Sequence, residues 1–435
     1  MIKCYTLDGE FYKEEICFGN FHEIKNRLKS NSQFISSMPV EAIVLIMNEY
    51  SKKLSLNKEA LSIEGVPFLS FYLKKNNVKK LIRLNLGNEE YLDNFLEVEE
   101  GKYMKAQPRG VVCHWVAGNV ATLAIYSAFQ GLLCKNANLL RIPKKSIHEV
   151  MKLLRLLDNI DVDYKGNVYS SKSLLKNISI IYFDSKDIKL NSSMSLEADA
   201  RVVWGGKQAV DAITALPKKT TCKDLIFGPK YSFSVFDKSA IESCDIERYL
   251  ENLVSDIIAF DQKACSSPQV LFIERSCMSL EEIGCKLANS FEKISKRYPN
   301  NNIEQYIAAK IINKRGEYGL SLEKTLYSSK GLDFTILIDR EVKLEEPVQG
   351  RTIFLKEVES IFEVTKLITS KIQCIGVASK DKEKILKFAD GVTKLGVDRV
   401  TQIGFMNFYD FPWDGSLVLS ELVRWCSLNI KGMIS

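Results

Sequence analysis

Eleven cysteines are scattered along the 435 residues, and one stands apart by its surroundings. Cys265 lies in "IIAFDQKACSSPQVLFIE", between an apolar run of helical character and an apolar run of strand character. Its neighbours are Ala264, Ser266, Ser267 and Pro268. Most cysteines are small core hydrophobes without chemistry. Small polar neighbours on a loop suit an accessible thiol, whose thiolate is a nucleophile. Local sequence leaves both a structural and a catalytic thiol open.

Four other stretches carry groups that could serve such a nucleophile. In "HWVAGNVATLAIY", Gly118 and Asn119 fall between a buried strand and an apolar helix. The Asn119 side chain can cap that helix, or its amide can donate to an oxyanion. In "KNANLLRIPKKS" a strand ends at Arg141, and Lys144 and Lys145 follow Pro143. These are either solvated charges at a strand end or a cationic edge for a nucleotide ribose and its 2′-phosphate. "VVWGGKQAV" runs from a buried strand through Gly205 and Gly206 into a helix. That order lets backbone approach a phosphate at a helix N-terminus, although it is neither GxGxxG nor a Walker loop. "DLIFGPKYSFSVFD" places Gly228 and Pro229 between two strand-like runs and by itself marks only a turn.

The elements that must hold these groups follow from periodicity. From Pro108 onward, strand-like runs at 110–116, 137–142, 178–183 and 200–206 alternate with helical stretches near 120–135 and 147–158. Apolar strands separated by helices predict a parallel sheet covered on both faces, with ligands at the carboxyl ends of its strands. A second α/β block has a helix over 246–260, the Cys265 loop, the strand "VLFIE", a helix near 280–296 and the strands "DFTILI" and "QCIGVA". Before Pro108, a short β-like start precedes a helix in "SSMPVEAIVLIMNEYSKKL", capped by Ser37, and a second helix in "VPFLSFYLKKNNVKKLIRLNL". The tail "SLVLSELVRWCSL" predicts a final amphipathic helix. With a junction near Asp237 to Ala240, the chain divides into 1–104, 105–239, 240–403 and 404–435.

Composition narrows the function. An apolar fraction of 46% and a charged fraction of 26% are those of an ordinary globular protein. The net charge of +6 is too mild and dispersed for a nucleic-acid binder, yet it favours small anionic partners such as nucleotides or coenzyme A. The opening "MIKCYTLDGEFYKEE" has no apolar segment of the secretory kind, and no run is long enough to span a membrane. There is no CxxC pair and there are only three histidines, so the sequence predicts a reducing, cytoplasmic setting with neither disulfides nor a metal.

Taken in order, an Asn-bearing loop, a basic strand end, a Gly-Gly turn, a Gly-Pro turn and a later cysteine resemble the aldehyde dehydrogenase superfamily. "PRGVVCHWVAGNV", "WGGKQAV", "FGPKYSFSV", "FDQKACSSPQ" and "GVDRVTQIGFMNFYDFPWDGSLVLSELVRW" more closely resemble the acyl-CoA reductase (fatty-acid reductase) family typified by the LuxC component of bacterial luminescence, from about residue 105 onward. The resemblance implies an aldehyde dehydrogenase-like fold of two Rossmann-like α/β domains with a helical N-terminal segment. It implies that Cys265 is the catalytic thiol and that Asn119 joins the cysteine N–H in an oxyanion hole. Arg141 and Lys144 would hold a nicotinamide cofactor, NADPH, over the turn at Gly205 and Gly206. His114, Trp413 and Asp414 match family positions that could face the active site, with His114 equally readable as a satisfied core histidine. Where acid-forming relatives carry a glutamate before the "LGGK"-like turn, this chain has Ile226 before "FGPK". The implied activity is reduction of an acyl thioester, on coenzyme A or a partner protein such as an acyl-protein synthetase, to a fatty aldehyde by a homo-oligomeric enzyme. Alternatives are a cysteine acyltransferase or thioesterase pairing Cys265 with His114 without nicotinamide, another aldehyde dehydrogenase-type oxidoreductase, or a non-catalytic scaffold.

Overall fold

The structure is a computed structural model, described here for residues 1–118, 120–300 and 303–431. The chain forms two compact units: residues 1–228 together with the stretch from Tyr409 onward, and Pro229–Phe408.

In the first unit the strand Val111–Trp115 is buried at all five positions, which requires cover on both faces of its sheet. Val112 faces the core under the helices Val40–Leu56 and Thr122–Leu133. Val111, Cys113 and Trp115 face the core under Phe21–Ser36 and Ile188–Glu197. The seven-stranded sheet runs Lys223–Phe227, Ala200–Trp204, Val111–Trp115, Ala137–Arg141, Ile178–Tyr182, Ile2–Leu7, Glu10–Phe18. Its first five strands are parallel, and the N-terminal hairpin extends it antiparallel. From Val111–Trp115 the chain winds outward in one direction, then returns to lay Ala200–Trp204 on the other side. The crevice beyond the carboxyl ends of these two strands is therefore the topological switch point, where doubly wound sheets bind ligands.

The second unit has its own seven-stranded sheet, ordered Thr325–Ser328, Thr335–Ile338, Thr352–Val358, Pro268–Glu274, Tyr231–Phe236, Ile372–Ala378, Arg399–Gln402. All neighbours are parallel except the first pair. Ile246–Ile258 and Leu280–Ser295 cover one face, and Gln305–Gly319 and Lys382–Lys394 the other. The expected two-sheet α/β fold is the one the chain adopts.

Several local expectations are corrected. Tyr231–Phe236 is a central strand of the second sheet, paired with Pro268–Glu274 and Ile372–Ala378, so the units divide at Gly228 rather than near Asp237 to Ala240. The C-terminal helix is a single turn, Val418–Glu421, followed by the strand Val423–Asn429. Val418, Leu419 and Leu422 have helical spacing and are buried, but beyond them the backbone pairs with Lys102–Pro108 in a three-stranded sheet. Ser37 closes the helix Phe21–Ser36 instead of capping the next one, whose Val40 N–H is taken by the Asp93 carboxylate at 3.0 Å. The second N-terminal helix breaks into Val66–Tyr72 and Lys75–Leu86, because Asn48 Oδ1 accepts the Lys75 N–H and starts a new helix.

Candidate active site

A cleft of about 930 Å³ opens at the switch point of the first unit. Arg141, Lys144, Lys145, Gly205 and Gly206 line it, so the structure brings together every cofactor-side residue singled out in the sequence. Arg141 ends its strand with the guanidinium over the rings of Tyr182 and Phe183 and one N–H donated to the Phe183 carbonyl at 3.1 Å. Its Nε is buried without a partner, and burial lowers its pKa from the usual arginine value. Lys144 and Lys145 are exposed at the rim, while Asp184 brings one carboxylate into the same cleft.

The glycines keep the floor low. A Cβ on Gly118 would come within 2.8 Å of the Lys145 side chain and 3.1 Å of the Pro143 ring. A Cβ on Gly206 would meet nothing within 4 Å, so that residue faces open space. Gly206 also begins the helix Lys207–Thr214 with no side-chain cap, leaving first-turn N–H groups for a ligand. An orphaned guanidinium N–H, an uncapped helix start and the indoles of Trp115 and Trp204 suit a planar, anionic ligand.

His114 lies beneath this cleft and does not line it. A directed hydrogen-bond chain fixes its state: Trp204 Nε1 donates to Ser127 Oγ (3.0 Å), and Ser127 Oγ lies 2.8 Å from His114 Nδ1. His114 Nε2 lies 3.1 Å from Asn138 Oδ1, an acceptor only. The arrangement therefore selects the neutral ring with its proton on Nε2. Complete burial pushes its pKa down to about 4. Both nitrogens are committed, as in a satisfied core histidine.

In the second unit, Cys265 sits half-buried at the amino end of Pro268–Glu274, on a strained and heavily tied loop. Phe260, Asp261 and Gln262 have φ of 58°, 42° and 63°, three consecutive left-handed residues without a glycine. Such conformations cost about 1–3 kcal/mol each and persist only where the surroundings over-determine them. Here Gln262 donates to the carbonyls of Pro268 and Thr352 and accepts the Thr352 N–H, all within 2.9 Å. Arg351 holds the Asp261 carboxylate at 2.7 Å. Ser232 donates to the Cys265 carbonyl at 2.7 Å. Asn407 accepts from Ser266 at 2.8 Å.

Asn119 lies outside the described residues. Trp413 and Asp414 belong to the first unit. Trp413 is buried, with its ring centroid 5.8 Å from that of Tyr126 and 5.7 Å from that of Tyr409. Asp414 and Gly415, with φ of 45° and 72°, form the tight turn that returns Ser416 to Trp413. Neither Trp413 nor Asp414 lines the cleft. Sequence reading passed over Gln262, Arg351, Asp256 and Asn407. The available signal was polar residues inside apolar runs, as in "LVSDIIAF" and "IGFMNFY".

The fold and cleft define an aldehyde dehydrogenase-like α/β protein. Aldehyde dehydrogenase C of Pseudomonas syringae, solved as a cysteine-to-alanine mutant with NAD+ and octanal, superposes with a TM-score of 0.65 at 12% identity, covering 99% of this chain and 93% of that one. The chain belongs to the acyl-CoA reductase (LuxC) family, which matches residues 35–425, and it is an oxidoreductase. It is 25% identical to the long-chain acyl-protein thioester reductase of Photorhabdus luminescens, over 88% of this chain and 76% of that one. It is 23% identical to the Vibrio harveyi protein of the same description, over 96% and 88%.

Proposed function

We propose that this chain reduces an activated fatty acyl thioester to the aldehyde through a covalent acyl-cysteine, using NADPH. The observation that carries this reading is the cleft at the switch point, in a chain of a reductase family, where Arg141, Lys144 and Lys145 gather with an uncapped helix start. Arg141 and the two lysines would pair with the extra phosphate of NADPH, and Gly206 would leave room for the pyrophosphate. The cofactor would supply the two reducing electrons as hydride when bound.

The remaining steps fall to the chain's own groups. The Cys265 thiolate attacks the thioester carbonyl, the carbon–sulfur bond to the donor breaks, and the donor thiol leaves. Asn119 and the Cys265 N–H stabilise the tetrahedral oxyanion. After reduction the thiohemiacetal on Cys265 collapses, the aldehyde departs and the thiolate returns. Ile226 stands where a water-activating glutamate would be, so the acyl-cysteine is protected from hydrolysis. Acyl-CoA and an acylated partner protein are the candidate donors, and the family likeness favours the acylated protein.

The histidine-assisted acyltransferase alternative is disfavoured by His114, which is buried with both nitrogens engaged. The test is incubation of purified protein with NADPH and a series of acyl-CoA thioesters and acylated proteins. We expect NADPH loss matched by aldehyde formation. Acyl transfer or acid release without NADPH loss would establish the alternative.

A further inference from the structure

The mechanism above uses the Cys265 thiol but not the buried polar chain that ends beside it. That chain starts on the helix Ile246–Ile258, where the Asp256 carboxylate accepts the backbone N–H groups of Gly404 (2.6 Å) and Met406 (3.2 Å). These two bonds fix the turn leading to Asn407. The Asn407 Nδ2 donates to the Asp256 carbonyl at 2.7 Å, which leaves its Oδ1 facing the nucleophile's loop. There Oδ1 accepts from Ser266 Oγ at 2.8 Å and from Ser267 Oγ at 3.4 Å. Asp256, Asn407, Ser266 and Ser267 are all buried, so no bulk water substitutes for a lost bond.

An amide has distinct donor and acceptor ends. With a carbonyl on one side and hydroxyl donors on the other, Asn407 has one satisfied orientation. Gly404 permits the tight approach: its φ is 94°, and a Cβ there would come within 3.1 Å of Asn252. Ser266 is the next residue after Cys265, so any shift of the serine rotates the peptide that carries the thiol. Misplacing a reacting group by about 1 Å costs on the order of a hundredfold in rate.

We propose that Asn407, fixed by Asp256, is a positioning residue that sets the direction of the Cys265 thiol through Ser266. This rests on Cys265 being the acylated nucleophile, and the experiment separates the two ideas. In the full-length protein, single-turnover acylation by acyl-CoA is measured for Asn407→Ala, Ser266→Ala, their double variant and Ser266→Thr. Alkylation of Cys265 by iodoacetamide is followed by peptide mass spectrometry, with exposed Cys244 as internal reference. Nucleotide affinity is read from tryptophan fluorescence, since all four tryptophans lie in the other unit.

The expected result is a tenfold to hundredfold slower acylation in each alanine variant, with nucleotide affinity within twofold. The double variant should be no slower than the slower single, and Ser266→Thr, which keeps the hydroxyl, should stay within threefold of the unmutated rate. A merely structural role would lower stability and leave the acylation rate per folded molecule unchanged. Acylation within twofold in both single variants, or losses that multiply in the double, would overturn the proposal. If Asn407→Ala does not fold, the contrast between Ser266→Ala and Ser266→Thr decides. If the unmutated protein forms no acyl-enzyme, the thioester reading fails, and alkylation still tests positioning. A threefold or greater shift in the Cys265 to Cys244 ratio in Ser266→Ala then supports the proposal, and an unchanged ratio ends it.

Discussion

Eleven cysteines compete for the role of nucleophile, and burial sets aside five of them, Cys4, Cys113, Cys134, Cys222 and Cys374. Cys4, Cys113 and Cys134 are buried, and loss of solvation pushes their thiols up, that of Cys4 to about 11. Such thiols are almost wholly protonated at neutral pH and are poor nucleophiles. Of the six left, Cys265 is the one on the braced loop before Pro268–Glu274, so Cys265→Ala should abolish acylation while leaving nucleotide binding intact, whereas Cys113→Ala should cost stability and spare the chemistry. Appreciable reductase turnover in Cys265→Ala would exclude the mechanism. Ile226, 36% exposed on the edge strand Lys223–Phe227, gives a second test. A positioned base is worth about a hundredfold to ten-thousandfold in hydrolysis, and isoleucine supplies none. The acyl-enzyme should persist for minutes without NADPH, and Ile226→Glu should shorten its life and divert product to the free acid. Rapid acid release from radiolabelled, unmutated protein would mean that another group acts as base. His114 gives a third, thermodynamic test. Its pKa falls from 6.5 to about 4 on folding, so the unfolded chain binds a proton that the folded chain refuses. The stability it contributes is full above pH 6.5 and is lost as pH falls toward 4, by on the order of 3 kcal/mol. In His114→Gln, tryptophan-monitored unfolding should show a flatter pH dependence over that window than in the unmutated protein. Equal slopes would mean that His114 titrates alike in both states.

The basic edge belongs to the scale of elements, because it exists only where a strand end and a turn converge. Arg141 closes Ala137–Arg141, and Lys144 and Lys145 follow it past Pro143 into the cleft rim. Charge-assisted hydrogen bonds contribute about 1.5–3 kcal/mol each. NADPH should therefore bind at least about tenfold more tightly than NADH, and Arg141→Ala should reduce that ratio, as read by tryptophan fluorescence titration. Equal affinities would assign the cluster to solvent. This edge was legible in the sequence because strand, proline and lysines are contiguous, and the Gly205–Gly206 turn was legible for the same reason. The brace around Cys265 was not. Gln262 meets Thr352, Asp261 meets Arg351 and Ser266 meets Asn407 across 90 to 141 residues, and no local period announces such pairs. The tail misled for a different reason. The spacing of Val418, Leu419 and Leu422 is helical, while the partner strand that converts the next seven residues lies more than three hundred positions earlier.

At the scale of the molecule, the chain leaves the first unit at Gly228 and returns to it at Tyr409, so that unit is completed only by the stretch that follows the second one. The returning stretch is a substantial part of its core. Trp413, Val418, Leu419, Leu422 and Val423 are buried among residues from the N-terminal helices and the sheet. Tyr409 stacks on Tyr126 at 4.2 Å, and Val423–Asn429 forms a full ladder with Lys102–Pro108. Burying a large apolar side chain stabilises by about 1.5–3 kcal/mol, so five of them contribute roughly 7–15 kcal/mol. That equals the whole stability of a typical domain, about 5–15 kcal/mol. The second unit carries its own sheet with a packed core on each face. A chain ending at Phe408 should therefore lose the first unit and keep the second. Trp115 and Trp204 should shift to the emission of exposed indole, NADPH should fail to bind, and limited proteolysis should leave a resistant fragment spanning about 229–408. Retention of nucleotide binding by the truncated chain would show that the first unit folds without its C-terminal stretch.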